Sequence, residues 1–122
     1  MSKRNVVHVE IPAANVEAAG NFYADLFGWK LQHMPEMNYT MWEAGDGSGG
    51  GFPEVSVDNP AGQVLVYIDS DDIEADLKKV EKLGGKVLHK KTEIPGMGWF
   101  GIFHDPTGNV LALYTSMNPE NK

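Results

Sequence analysis

The sequence predicts an α+β fold: two tandem βαβββ units forming cupped mixed sheets around a cleft. Three observations carry this. Each half of the chain opens with an alternating apolar strand, passes through one amphipathic helix and continues through three strand-like segments. Leu26-Phe27-Gly28-Trp29-Lys30-Leu31 matches Leu83-Gly84-Gly85-Lys86-Val87-Leu88 at an offset of 57 residues, with helix end, Gly and strand start in the same order. At that offset Val9 and Ile11 fall on Val66 and Ile68, so strand parity agrees as well.

In the first unit, residues 6–57, Val6 to Ile11 reads as a strand with Val7, Val9 and Ile11 on one face and His8 and Glu10 on the other. Asn15 is an N-cap, Ala18, Ala19, Phe22, Tyr23 and Leu26 give helical spacing, and Gly28 is the stop. Strands are expected at Trp29 to His33, Tyr39 to Ala44 and Phe52 to Val57, with Gly45 to Gly51 as a glycine-rich loop. That loop lacks the Lys-Ser/Thr ending of a phosphate loop and opens no helix, which argues against a nucleotide site.

Residues 58–63 form the linker, and the second unit spans residues 64–115. Val64, Val66 and Ile68 share one strand face. Ser70-Asp71-Asp72 offers a cap and a negative first turn for a helix carrying Ile73, Leu77 and Val80, which Gly84-Gly85 ends. Lys86 to Lys91, Trp99 to His104 and Val110 to Thr115 complete the unit, with Pro95 to Gly98 as a second flexible loop. Asp105-Pro106-Thr107-Gly108-Asn109 is a turn signal feeding the last strand.

Bulk properties narrow the function classes. The 122 residues suit a single domain, 1–122. No cysteine is present, which removes disulfides, thiolate metal sites and a cysteine nucleophile. Ten basic against 17 acidic side chains give a net charge of −7, so neither nucleic acid nor a membrane surface is an expected partner. Met1-Ser2-Lys3-Arg4 is basic but no apolar segment follows, so no signal peptide is read and a cytoplasmic location is expected.

The order and spacing of Asn21-Phe22-Tyr23-Ala24-Asp25-Leu26-Phe27-Gly28-Trp29, of Asp71-Asp72-Ile73-Glu74-Ala75 with Leu83-Gly84-Gly85-Lys86-Val87, and of the terminal turn and strand resemble the vicinal oxygen chelate superfamily. This family includes glyoxalase I, bleomycin-resistance proteins and extradiol dioxygenases. The likeness covers nearly the whole chain, and the subgroup resembles short bacterial proteins related to lactoylglutathione lyase. In metal-dependent relatives each unit supplies two ligands, one from its first strand and one from its last, for Zn, Ni, Fe or Mn. His8 matches the first position. The corresponding second-unit position is Leu65, or Gln63 on the same face after a two-residue gap. The final-strand position four residues after Gly108 is Ala112, which cannot coordinate, and in the first unit Glu54 or Gly51 is the candidate.

The resemblance therefore implies a protein that binds a small organic molecule in its cleft without the family's usual metal, His8, Gln63 and Glu54 being the weak metal candidates. The alternative is a metal-dependent lyase or dioxygenase related to glyoxalase I. Whether the chain is an enzyme at all, and on what substrate, stays open. By parity, the ligand-binding residues are His8, Glu10, Glu54, Gln63, Tyr67 and Tyr114, on the sheet face opposite the aliphatic one. His8 and Glu10, two residues apart on a strand, are about 7 Å apart along it and suit a polar ligand or acid–base chemistry. Glu43, His89 and His104 are read as surface or half-buried side chains, and Tyr39, Trp42, Trp99, Phe100 and Phe103 mostly as core. Exposed sheet edges predict a homodimer.

Overall fold

The computed structural model describes residues 3–117; the start at Met1 and Ser2, part of the basic segment considered for a signal peptide, lies outside the described residues. The elements run β1 (Val6–Glu10), α1 (Val16–Phe27), β2 (Lys30–Met34), a single 3-10 turn (Pro35–Met37), β3 (Tyr39–Glu43) and β4 (Gly49–Phe52). Then follow β5 (Leu65–Asp69), α2 (Ile73–Lys82), β6 (Lys86–Ile94), β7 (Gly98–His104) and β8 (Val110–Ser116). This is the βαβββ order twice, and each unit carries a four-stranded mixed sheet. Its contacts divide the chain into a first compact unit, His8–Leu65, and a second made of the described residues of Met1–Val7 and Val66–Lys122.

In the first unit the strand order is β2-β3-β4-β1, antiparallel except that β1 and β4 run parallel. Helix α1 starts where the Asn15 side chain accepts from the Ala18 amide, at 2.9 Å, and stops where Gly28 takes φ 75° and donates to the Ala24 carbonyl. Its Val16 and Tyr23 pack with Ala13, Trp42 and Phe52, joined by Val9, Ile11, Trp29 and Leu31. Aromatic rings form the centre: Trp29 stacks on Trp42 at 4.0 Å, and Tyr23 stacks on both Trp29 and Phe52 at 5.5 Å. Val9 and Ile11 thus face the helix, as alternation predicts, whereas Val7 is outside this cluster and 36% exposed.

The strand placed at Phe52 to Val57 is instead β4 at Gly49–Phe52, built from the very glycines read as a loop. The cause is close approach rather than strand propensity. A Cβ at Gly50 would overlap the Val9 carbonyl oxygen and one at Gly49 would press on the Trp42 carbonyl, so only glycine lets β4 enter between β1 and β3. The true loop shrinks to a turn around Gly45–Ser48, where Asp46 accepts from the Ser48 amide and hydroxyl; the latter bond holds its carboxyl below the usual carboxylate range.

In the second unit the order is β5-β8-β7-β6, with β5 and β8 parallel and the other pairs antiparallel. Asp72 caps α2 by accepting from the Ala75 amide, and Gly84 ends it at φ 97°. Its Ile73 and Leu77 are buried with Leu113, and Ile68, Val87, Trp99 and Phe103 pack against them. Val64, expected on the same strand face as Ile68, lies before β5 and is 48% exposed. The loop expected at Pro95 to Gly98 is a tight hairpin turn with Gly96 at φ 77° and Gly98 already in β7. In the Asp105 turn one carboxylate oxygen accepts from the amides of Thr107, Gly108 and Asn109, and the bond from Asn109 leads the lowering of its pKa. Arg4 donates to Asp76 on α2, whose other bond comes from the Ser70 hydroxyl at 2.6 Å.

Candidate functional site

The helix-free face of the first unit's sheet is set by the strand registers. Gln32 pairs with Met41, Met41 with Gly51 and Gly51 with Glu10, so these four form one row; Met34 and Tyr39 pair in the neighbouring row. Gly51 leaves a gap in the row, and the ring of Tyr39 fills it from the side. A Cβ at Gly51 would collide with the Tyr39 hydroxyl and its ring carbon. Lying across β4, that hydroxyl reaches both polar residues of β1. It is 2.8 Å from His8 Nε2, and it donates to Glu10 Oε2 at 2.8 Å. His8 Nε2 and Glu10 Oε2 are themselves 3.6 Å apart.

A phenol has one proton. With that proton given to Glu10, the bond to His8 requires Nε2 to carry a proton and donate to the Tyr39 oxygen. The three groups thus form one directed chain, His8 to Tyr39 to Glu10, in which each bond polarises the next. His8 and Glu10 are half-buried, their side chains 25% and 15% exposed; Met34, paired with Tyr39, and Met41, paired with Gly51, are also half-buried. The arrangement can accept hydrogen bonds through the carboxylate and exchange protons along the chain.

Of the side chains read from the sequence as ligand-binding, the structure joins His8 and Glu10. Glu54 stands beyond β4, exposed, in an isolated bridge with Ala13, away from the strand position expected of it. Gln63 falls in the turn before β5, its amide donating to the Pro60 carbonyl, and so is not on the sheet face. In the second unit Tyr67 pairs with Ala112 and Asp69 with Tyr114, which puts both tyrosines on the face opposite Ile68 and Leu113. Tyr67 is buried, and the Tyr114 hydroxyl donates to the Met97 carbonyl at 3.0 Å. Tyr39, one of the aromatics expected mostly in the core, is half-buried and lies on the helix-free face. Thr40 and Trp42 are the helix-facing pair in β3, so alternation alone would have turned Tyr39 outward; its partners could not be read until the glycine run was known to be a strand.

The registers also settle which positions correspond between the units. Glu10 pairs with Gly51 as Tyr67 pairs with Ala112, so the last-strand positions hold Gly51 and Ala112, neither with a donor. Leu65 stands 57 residues after His8 and offers only carbon. Among the described residues no group of three His, Asp or Glu side chains is placed to hold a metal ion. A four-ligand site of the kind the family uses does not fit these residues.

The architecture is that of the glyoxalase/bleomycin-resistance-like α+β proteins, and comparison with known proteins agrees. The chain belongs to the glyoxalase/bleomycin resistance/dioxygenase superfamily. It is 36% identical over 118 residues to a glyoxylase-like domain-containing protein of Didymella fabae, covering 88% of this chain and 90% of that one. The family described as bleomycin resistance protein-like N-terminal matches residues 5–45. An anthracycline biosynthesis protein of Streptomyces peucetius is 25% identical over 122 residues, 86% of this chain and 44% of its own length. Among solved structures, a superfamily member from Vibrio splendidus superposes with a TM-score of 0.69 at 14% identity, covering 93% of this chain and 100% of that one. Methylmalonyl-CoA epimerase from Mycobacterium tuberculosis superposes with a TM-score of 0.72 at 16% identity, covering 99% and 95%. These two share the fold. Among the described residues no helix is long and apolar enough to cross a membrane.

Proposed function

We propose that this protein binds a small organic molecule on the helix-free face of its first sheet, through hydrogen bonds to the His8–Tyr39–Glu10 chain and without a transition metal. The observation that carries the reading is Tyr39 lying over Gly51 to join His8 and Glu10: a half-buried polar cluster beside methionines, on a face that no helix of its unit covers. Polar groups converging on a mostly apolar surface are what fixes a small ligand's orientation, and thioether side chains adapt to its shape. The relative named for anthracycline biosynthesis fits a ligand of this class. On the second unit's sheet, taken by itself, Tyr67 and Tyr114 are proposed as ligand-binding side chains. A metal-dependent lyase or dioxygenase is the weaker reading, because Gly51, Leu65 and Ala112 replace donors with carbon or nothing.

We further propose a cytoplasmic homodimer. Phe22 and Leu26, four residues apart on α1, are 60% and 58% exposed, an apolar pair that a second copy would cover. The ligand reading is tested by a thermal-shift screen of small carbonyl and aromatic compounds on chelator-treated protein. A hit that raises the melting temperature of the native chain and loses its effect in Glu10→Ala supports it; hits that need added metal, or that survive Glu10→Ala unchanged, oppose it.

A further inference from the structure

We propose that Asp46–Gly47, in the turn between β3 and β4, is a site of spontaneous isoaspartate formation, that Ser48 sets its pace, and that the altered linkage releases β4 from β3. This goes beyond the ligand reading and does not depend on it.

The turn brings together what the modification needs. Asp46 is followed by glycine, whose amide has no side chain to shield it from the preceding carboxyl; no other aspartate or asparagine of the chain precedes a glycine. Asp46, Gly47 and Ser48 are all exposed, so water reaches the reacting atoms. In the reaction the Gly47 nitrogen bonds to Asp46 Cγ. One carboxyl oxygen leaves as water, taking the carboxyl proton and the amide proton, and a cyclic imide remains. Water then adds to the Asp46 main-chain carbonyl carbon and breaks its bond to nitrogen. The chain now runs through Cβ and Cγ, one carbon longer, and the former main-chain carbonyl is a free carboxylate. The water lost is regained, and no oxidant or co-reactant is required.

The same turn holds this reaction back. Imide closure needs a protonated carboxyl, since oxide does not leave a carboxylate. The Ser48 hydroxyl, at 2.6 Å, and the Ser48 amide, at 3.0 Å, both donate to Asp46 Oδ1, and the hydroxyl does most to keep the carboxyl below its usual range. The Gly47 amide is tied as well: at φ 89° it donates to the Ala44 carbonyl, at 3.0 Å. Of these contacts the Ser48 hydroxyl is the one a side-chain change removes.

The consequence reaches the sheet. The Ala44 amide closes the turn on the Ser48 carbonyl at 2.7 Å, and β4 leaves it with Gly49 opposite Glu43, Gly50 opposite Trp42 and Gly51 opposite Met41. These glycines have little slack, because even a Cβ at Gly49 or Gly50 would run into main-chain carbonyls of β3 or β1. An extra carbon in the turn breaks the Ala44 bonds and draws β4 out of register, and Gly51 away from the Tyr39 ring.

The full chain is held near neutral pH at physiological temperature, with a free peptide of residues 43–49 as the unfolded reference. Isoaspartate at position 46 is read by mass spectrometry of digests and by methyl groups accepted from an isoaspartyl methyltransferase. The peptide is expected to convert fastest. Ser48→Ala should convert at least about threefold faster than native protein, having lost one hydrogen bond to a charged group, and Ser48→Thr, which keeps the hydroxyl, should match native. The isomerised chain, separated by ion exchange, should melt at a lower temperature and show displaced Gly49, Gly50 and Gly51 amide signals. Equal rates in native protein and Ser48→Ala overturn the role of Ser48. Absence of isoaspartate from both, over a period in which the peptide converts, overturns the site. An isomer with native melting temperature and amide signals overturns the link to β4.

Discussion

Tyr39 occupies the space that a side chain at Gly51 would need: a Cβ built on Gly51 meets the Tyr39 hydroxyl and ring. The pair links sequence to site. A strand glycine usually weakens a sheet, but here it lets a tyrosine on the neighbouring strand cross to β1. Gly51→Ala is expected to displace the phenol and lower stability by about 1–3 kcal/mol in urea unfolding. Adding Tyr39→Ala should recover part of that loss, giving a non-zero coupling in the double-mutant cycle. Additive losses would mean that the two residues do not share the space.

Gly50 supplies the contrast. Its Cβ would meet the Val9 backbone rather than a side chain that can rotate away. Gly50→Ala should therefore cost more than Gly51→Ala, and no single side-chain truncation should rescue it. The check is the same unfolding experiment on both variants, with circular dichroism confirming whether the Gly50 variant folds.

The Arg4–Asp76 pair predicts acid sensitivity. The hydrogen bond from Arg4, with the Ser70 bond adding to it, holds the Asp76 carboxyl below its ordinary value of 3.8 against the opposing effect of burial. A carboxyl lowered on folding stabilises the fold above its unfolded pKa, and that contribution is lost as pH falls through the lowered value. Stability from this pair should be complete at neutral pH and decline below about pH 4. Arg4 has its own pKa raised by Asp76 and stays charged throughout that range. Because Arg4 is largely exposed, Arg4→Ala should cost only about 0.5–1 kcal/mol at pH 7. Unfolding midpoints measured from pH 7 to pH 3 should converge for native protein and Arg4→Ala; parallel curves would show that the pair contributes nothing to folding.

Association predicts a light-scattering mass of twice the chain at micromolar concentration, shifting toward one chain in Phe22→Asp/Leu26→Asp. A monomeric native protein would rule out the dimer.

Much of the fold was legible in the sequence because its signals are local. The Asn15 and Gly28 caps, the Gly84 stop and the Asp105 turn each depend on a few neighbouring residues, and all appear where expected. Strand β4 was not legible, since a run of glycines has loop composition and becomes a strand only through approach to Val9 and Trp42, distant in sequence. The site followed the same division. His8 and Glu10 were found by alternation within one strand. Tyr39 was missed because its partners sit 29 and 31 residues away and its path depends on that unread strand. Glu54 and Gln63 lie in segments whose register is set by the glycine strand and the linker, so no local pattern fixes where they fall.

The central claim is a metal-free ligand site at His8, Tyr39 and Glu10. Its most direct test is a 1H–15N NMR titration of chelator-treated protein with the strongest small-molecule hit. The account predicts saturable shifts at the amides of His8, Glu10, Met41 and Gly51 and at the His8 ring, greatly reduced in Glu10→Ala. Shifts that appear only after Zn or Ni is added, or that leave these residues unmoved, would contradict it.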